Sequence, residues 1–165
     1  MASTEQTVRD EPAEVEHNAK LRNGSVLMTL AGVAFIGYGV VFLVLNFVGS
    51  GFEIGVSTLG GTTPEDLNPT VAYYISHLHV ATAAFIISTG IAVAGLSWYG
   101  IRQRLRWALA TAVVTAVVGL ALALPMHWTG DAFAHDWVTH LAPIYLATLV
   151  FVVGAVLSYQ GMHAS

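Results

Sequence analysis

Four long apolar stretches alternate with short polar connections along the chain. Residues 25–48, 70–99, 107–124 and 139–160 contain no aspartate, glutamate, lysine or arginine. At about 1.5 Å rise per residue, a helix of roughly 20 such residues crosses the hydrocarbon layer of a bilayer. The pattern therefore predicts an all-α integral membrane four-helix bundle. Between the spans lie a polar segment at 1–24, a loop at 49–69, a turn at 100–106, a loop at 126–138 and a short tail at 161–165. Residues 1–24 are rich in charge and contain Pro12, so they cannot bury enough apolar surface to offset the entropy of ordering and are expected to be a mobile tail. A cleaved leader is not expected, because this segment is long and acidic and the apolar stretch after it is span-length.

The connections carry their own signals. Thr63-Pro64, followed by Glu65 and Asp66, and then Asn68-Pro69 each place a capping residue before a proline, which predicts a short surface helix and a fresh start for the second span. That span is longer than the bilayer needs, so Tyr73 to Ser76 should project into the headgroup layer. The turn at 100–106 is short, which makes spans two and three antiparallel neighbours. Pro125 ends span three, and Pro143 is tolerated in the first turn of span four.

Small residues predict which helix faces meet. Gly32, Gly39 and Asn46 share a stripe in span one; Ser76, His79, Ala83, Gly90 and Ala94 share one in span two. Thr111, Thr115 and Gly119 form a row in span three, and Ala147 and Gly154 continue the stripe of His140 in span four. Asn46 and Tyr38 are expected to be hydrogen-bond partners between helices rather than substrate contacts.

Composition sharpens this reading. Apolar residues make up 55% of the chain and charged residues 10%, far below the quarter or so of a soluble domain, so the surface faces lipid. The formal charge of −4 belongs to the first segment, where Glu5, Asp10, Glu11, Glu14 and Glu16 lie. Nothing here suggests nucleic acid as a partner. With no cysteine, disulfides, thiolate metal sites, iron–sulfur clusters and a quinone-linked disulfide enzyme are excluded. All the basic residues, Arg9, Lys20, Arg22, Arg102, Arg104 and Arg106, fall in the first segment or the 100–106 turn. By the positive-inside rule both termini face the cytoplasm of the cell membrane, and the loops at 49–69 and 126–138 face outwards. Trp98, Trp107 and Tyr159 then mark the inner interface, and Trp128 and Trp137 the outer one. Arg102, Arg104 and Arg106 could also bind lipid headgroups, although topology alone accounts for them.

The histidines are the residues that could carry chemistry. Under this topology His77, His79, His127, His135 and His140 occupy one outer layer. His77 and His79 stand about 200° apart on a helix, so only one can face the bundle; the small-residue stripe selects His79. Three histidines from three spans, His79, His127 and His140, would suit a zinc or copper centre with an open position, and two facing ones could hold haem. His77, His135 and Asp136 are weaker candidates. Asp131 with His135 and Asp136 with His140 are four apart, the spacing at which a carboxylate orients an imidazole. Against this, histidine is at home at a membrane interface and no fixed metal-ligand spacing is present. A group of imidazoles could also respond to pH near neutrality. No span carries an ionised residue in its middle, which argues against an ion-coupled transporter.

Two stretches carry a resemblance: Asp66-Leu-Asn-Pro-Thr-Val-Ala-Tyr-Tyr-Ile-Ser-His-Leu-His79, and Leu124-Pro-Met-His-Trp128 with Trp137-Val-Thr-His140-Leu-Ala-Pro-Ile-Tyr-Leu146. They resemble small uncharacterised membrane proteins of salt-loving archaea over residues 25–160, which implies the four-span fold and no known activity. The layout of one span, an outer loop and three further spans is similar to DoxX-like proteins in architecture alone, and implies only that group's association with quinol oxidase. Two functions stand against each other: a non-catalytic membrane component or accessory subunit, packing against a membrane protein partner or a second copy, and a metal- or haem-binding redox or metal-handling protein.

Overall fold

The structure is a computed structural model and describes residues 2–48, 66–123, 125 and 142–163, with side chains from Glu14 onwards. It contains four long helices: α1 (Ala2–Val48), α2 (Pro69–Gly95), α3 (Arg106–Ala123) and α4 (Ala142–His163). Among the described residues there is no strand. All four helices are long and apolar enough to cross a membrane, so the chain is a four-helix membrane bundle.

The start of α2 follows its capping signal. The side-chain oxygen of Asn68 accepts from the Thr70 amide at 2.9 Å, and Pro69 occupies the first turn, where its missing amide costs nothing. The earlier signal at Thr63-Pro64 lies outside the described residues, as do residues 139–141 at the expected start of span four. At its other end α2 does not stop cleanly. Leu96–Gly100 widens into a π turn, Ile101–Gln103 tightens into a 3-10 turn, and Arg104 takes a left-handed conformation with φ 60°. The Arg104 amide donates to the Ile101 carbonyl at 2.9 Å and the Leu105 amide to the Gly100 carbonyl at 3.1 Å. These bonds satisfy carbonyls that the ending helix leaves open, in the manner of a left-handed C-cap.

Helix α1 is the hub, packed along α2 on one side and α4 on the other. Both seams are lined by small residues, as the stripes predict. At the crossing with α2, a Cβ added to Gly90 would come within 2.6 Å of the Gly32 carbonyl oxygen and 2.8 Å of the Ile36 amide, so only glycine permits this approach. Further along, Asn46 donates to the Ser76 hydroxyl at 2.9 Å, which bears out Asn46 as an interhelical partner. Across the other seam, a Cβ on Gly24 would lie 2.7 Å from the Gly154 carbonyl oxygen. There the buried Ser158 hydroxyl rests on the Met28 sulfur at 3.7 Å. Met28 and Ala31 of α1, Phe151 of α4, Val93 and Ile101 of the second span, and Ala108, Leu109, Ala112 and Ala116 of α3 form the buried core.

Two expectations are corrected. The first concerns the polar segment at 1–24, expected as a separate tail, which continues α1 as helix. From Leu21 it joins the packing: Leu21 is buried, and Gly161 of α4 sits so close that an added Cβ would meet the Leu21 backbone at 2.6 Å. A shared helix register and an apolar anchor outweigh the local excess of charge. The second concerns α3, whose buried row is Ala108, Ala112 and Ala116; Thr111 and Gly119 are exposed, and an added Cβ at Gly119 meets nothing within 4 Å. Helix α3 is also a neighbour of α2 mainly through the turn that joins them, with smaller contacts elsewhere.

Candidate functional site: an apolar cleft beside His79

Six basic residues divide the bundle into two ends. The arginine end carries Arg102, Arg104 and Arg106 with the exposed aromatic residues Trp98, Tyr99, Trp107 and Tyr159. The opposite end carries the start of α2, with the exposed Tyr73 and Tyr74. Aromatic residues at both ends and bare aliphatic side chains between them, such as Val114, Val118, Leu122, Leu149 and Val152, are the profile of a lipid-facing surface.

At the arginine end the basic residues are engaged locally. The Arg102 guanidinium lies over the Trp98 ring at 4.2 Å, a cation–π geometry. Arg104 donates to the Asn18 side-chain oxygen at 2.6 Å and so ties the turn back to the extension of α1. Arg106 opens α3 and is exposed.

Of the proposed histidine layer, the described residues include His77 and His79. His77 is exposed, while His79 is half-buried with its ring edge-on to Phe42, 5.1 Å between centroids. The small-residue stripe therefore selected the inward imidazole correctly. His127, His135, His140, Asp131 and Asp136 lie outside the described residues, and no group of three metal-ligating side chains occurs among those described.

One helical turn along α2 from His79, at Thr82, a cleft begins. Its volume is about 300 Å³, and it opens between α1, α2, α3 and the start of α4. Phe35 and Tyr38 line it from α1, Thr82, Ile86 and Thr89 from α2, and Leu120 from α3, with Gly119, Ala123 and Phe85 at its exposed rim. The buried row of α3 ends at Ala116, and an added Cβ at Gly119 would meet nothing within 4 Å, so the space beside Gly119 stays open. His79 belongs to the same helical stripe as Thr82, Ile86 and Thr89, and Phe42 to that of Phe35 and Tyr38. The Tyr38 and Phe42 rings lie 6.3 Å apart, so the Phe42–His79 pair lies on the Asn68 side of the cleft. One signal could have found this site: two threonines and a tyrosine at helical spacing, on stripes flanking the glycine seam.

No family model matches this chain, and no curated protein or solved structure matches it either. The functional reading rests on the molecule's own geometry.

Proposed function

We propose that this protein is a non-catalytic component of the cell membrane, with both termini in the cytoplasm, that works by packing against another membrane protein or a second copy of itself. The observation that supports the non-catalytic part of this reading is the use made of the buried small and polar side chains within the bundle. Gly24, Gly154, Ser158, Gly32, Gly90 and the Asn46–Ser76 pair are all spent on helix-to-helix contact, the interactions that hold membrane helices together. The orientation rests on the basic residues, which gather at one end.

The absence of cysteine makes the test direct. Single cysteines are introduced by Ser57→Cys, Gln103→Cys and Ser165→Cys, and intact cells are treated with a membrane-impermeant maleimide. Labelling of the first alone is expected; labelling of Ser165→Cys would reverse the orientation. Cross-linking in native membranes, followed by mass measurement of the purified product, is expected to give a discrete complex. A protein that stays monomeric in membranes at every cross-linker dose would sink the packing role.

A further inference from the structure

We infer that Arg22 of α1 and Arg104 of the turn before α3 together hold the phosphate of an anionic membrane phospholipid. Three observations converge on that chemistry. First, the fold brings the two arginines to one place. Arg104 donates to the Asn18 side-chain oxygen at 2.6 Å, and Arg22 follows Asn18 by one helical turn on the same side of α1. Side chains on a helix lean towards its N-terminus, so Arg22 leans towards the level of Asn18, where Arg104 is fastened.

Second, neither cation is neutralised. The one ion pair among the described residues joins Lys20 to Glu16 at 2.6 Å, and Glu14, the other acid of α1 with a described side chain, pairs with no arginine. The Arg22 side chain has no partner among the described residues, and that of Arg104 has only a neutral amide. Both arginines are exposed and open to a ligand. Neighbouring guanidinium groups repel each other. A phosphodiester between them replaces that repulsion with two charge-assisted hydrogen bonds, for which the planar guanidinium fork is shaped. Topology accounts for basic residues gathering at this end, but not for two of them standing together without an acid.

Third, the pair lies at headgroup depth. The exposed Trp98, Tyr99, Trp107 and Tyr159 surround this end of the bundle, as aromatic residues do at a membrane interface. They give acyl chains a surface that a soluble anion does not use. The Arg102 guanidinium is already placed over the Trp98 ring at 4.2 Å, and with Arg106 at the start of α3 it adds to the positive potential that draws anionic heads in.

The test uses the full chain in detergent micelles, with native mass spectrometry to count bound phosphatidylglycerol and phosphatidylcholine of identical acyl chains. No membrane orientation enters, so the result is independent of the proposed topology. The first phosphatidylglycerol is expected to bind the wild type about tenfold more tightly than phosphatidylcholine, whose choline offsets its own phosphate; that is the worth of one charge-assisted hydrogen bond. Arg22→Gln and Arg104→Gln should each abolish the preference. Lys20→Gln removes the same charge from the same end and should keep it. Because the Arg22 side chain touches no partner, its effect cannot come from a disturbed turn. Equal binding of the two lipids by the wild type overturns the site. So does an equal loss in all three variants, which would show a diffuse field in place of a pair. Glycerophosphoglycerol, the same head without acyl chains, should leave the bound lipid in place at equal concentration; complete displacement would assign the pair to soluble phosphate esters and overturn the lipid reading. None of these outcomes bears on whether the protein forms a complex, which cross-linking reads separately.

Discussion

The two sides of this bundle are built on different rules. On one side α1 lies against α2 and α4 so closely that backbone meets backbone at Gly32 and Gly90 and at Gly24 and Gly154. On the other, α3 is held by the buried Ala108, Ala112 and Ala116 near the arginine end, and the cleft lies along the rest of it. Without a hydrophobic drive between helices in lipid, contact depends on close packing. Where small residues face each other the helices close, and where a small residue faces nothing, as at Gly119, space is left.

The largest effect that would break this contrast comes from the glycines. Gly90→Ala places a methyl 2.6 Å from a backbone oxygen, which no rotamer change relieves, and overpacking of that kind costs about 1–3 kcal/mol. Gly119→Ala meets open space and exchanges a poor helix former for the best, a gain of about 0.5–1 kcal/mol. Unfolding titrations in mixed micelles should place the two variants on opposite sides of the wild type. If they fall together, the seam is not as tight as the geometry says.

A second, smaller effect concerns the polar end of the α1–α2 seam. Asn46→Ala removes the donor to Ser76, and interhelical hydrogen bonds in membranes average about 0.6 kcal/mol. Ser76→Ala should cost slightly more, because it leaves the half-buried amide nitrogen of Asn46 without its acceptor. The double variant should cost less than the sum of the two, and strict additivity in the same titration would remove the bond from the account of the seam.

Much of this architecture was legible in the sequence, and the reasons differ by element. Uncharged stretches of bilayer length define the four helices because lipid offers the backbone no partners. The stripe of Gly32, Gly39 and Asn46 and that of Ala83, Gly90 and Ala94 mark the α1–α2 seam because glycine stands out against valine and leucine. In α3 the same reasoning fails. Alanine, threonine and glycine occupy several rows of that helix, so small size no longer singles out one face, and the alanine row is buried although spacing points equally to the threonine row. The extension of α1 from Leu21 was hidden by the charge around it. The cleft was hidden because its lining residues are those of any lipid-facing surface; only the positions of Tyr38, Thr82 and Thr89 set it apart. Of the histidine layer, the inward turn of His79 was readable from its neighbours, while its proposed partners His127 and His140 lie outside the described residues.

The smallest expected effect sharpens the comparison at the arginine end, where both sides of the bundle meet. The bond from Arg104 to Asn18 fastens the turn before α3 to the extension of α1, but both side chains are exposed. Asn18→Ala should therefore cost no more than about 0.5 kcal/mol, as exposed polar pairs generally do. Arg104→Gly loses the same bond and also relieves the left-handed backbone, a gain of roughly 1–2 kcal/mol for a residue without a Cβ, reduced by the extra freedom glycine gains when unfolded. The net change should be a stabilisation of a few tenths of a kcal/mol. Adding Asn18→Ala to Arg104→Gly should then change nothing further, because the bond is already gone. Were Arg104→Gly instead clearly destabilising, the tie to α1 would matter more to the placement of α3 than the alanine row does. The opening of the cleft would then be governed from the arginine end rather than by the empty space at Gly119.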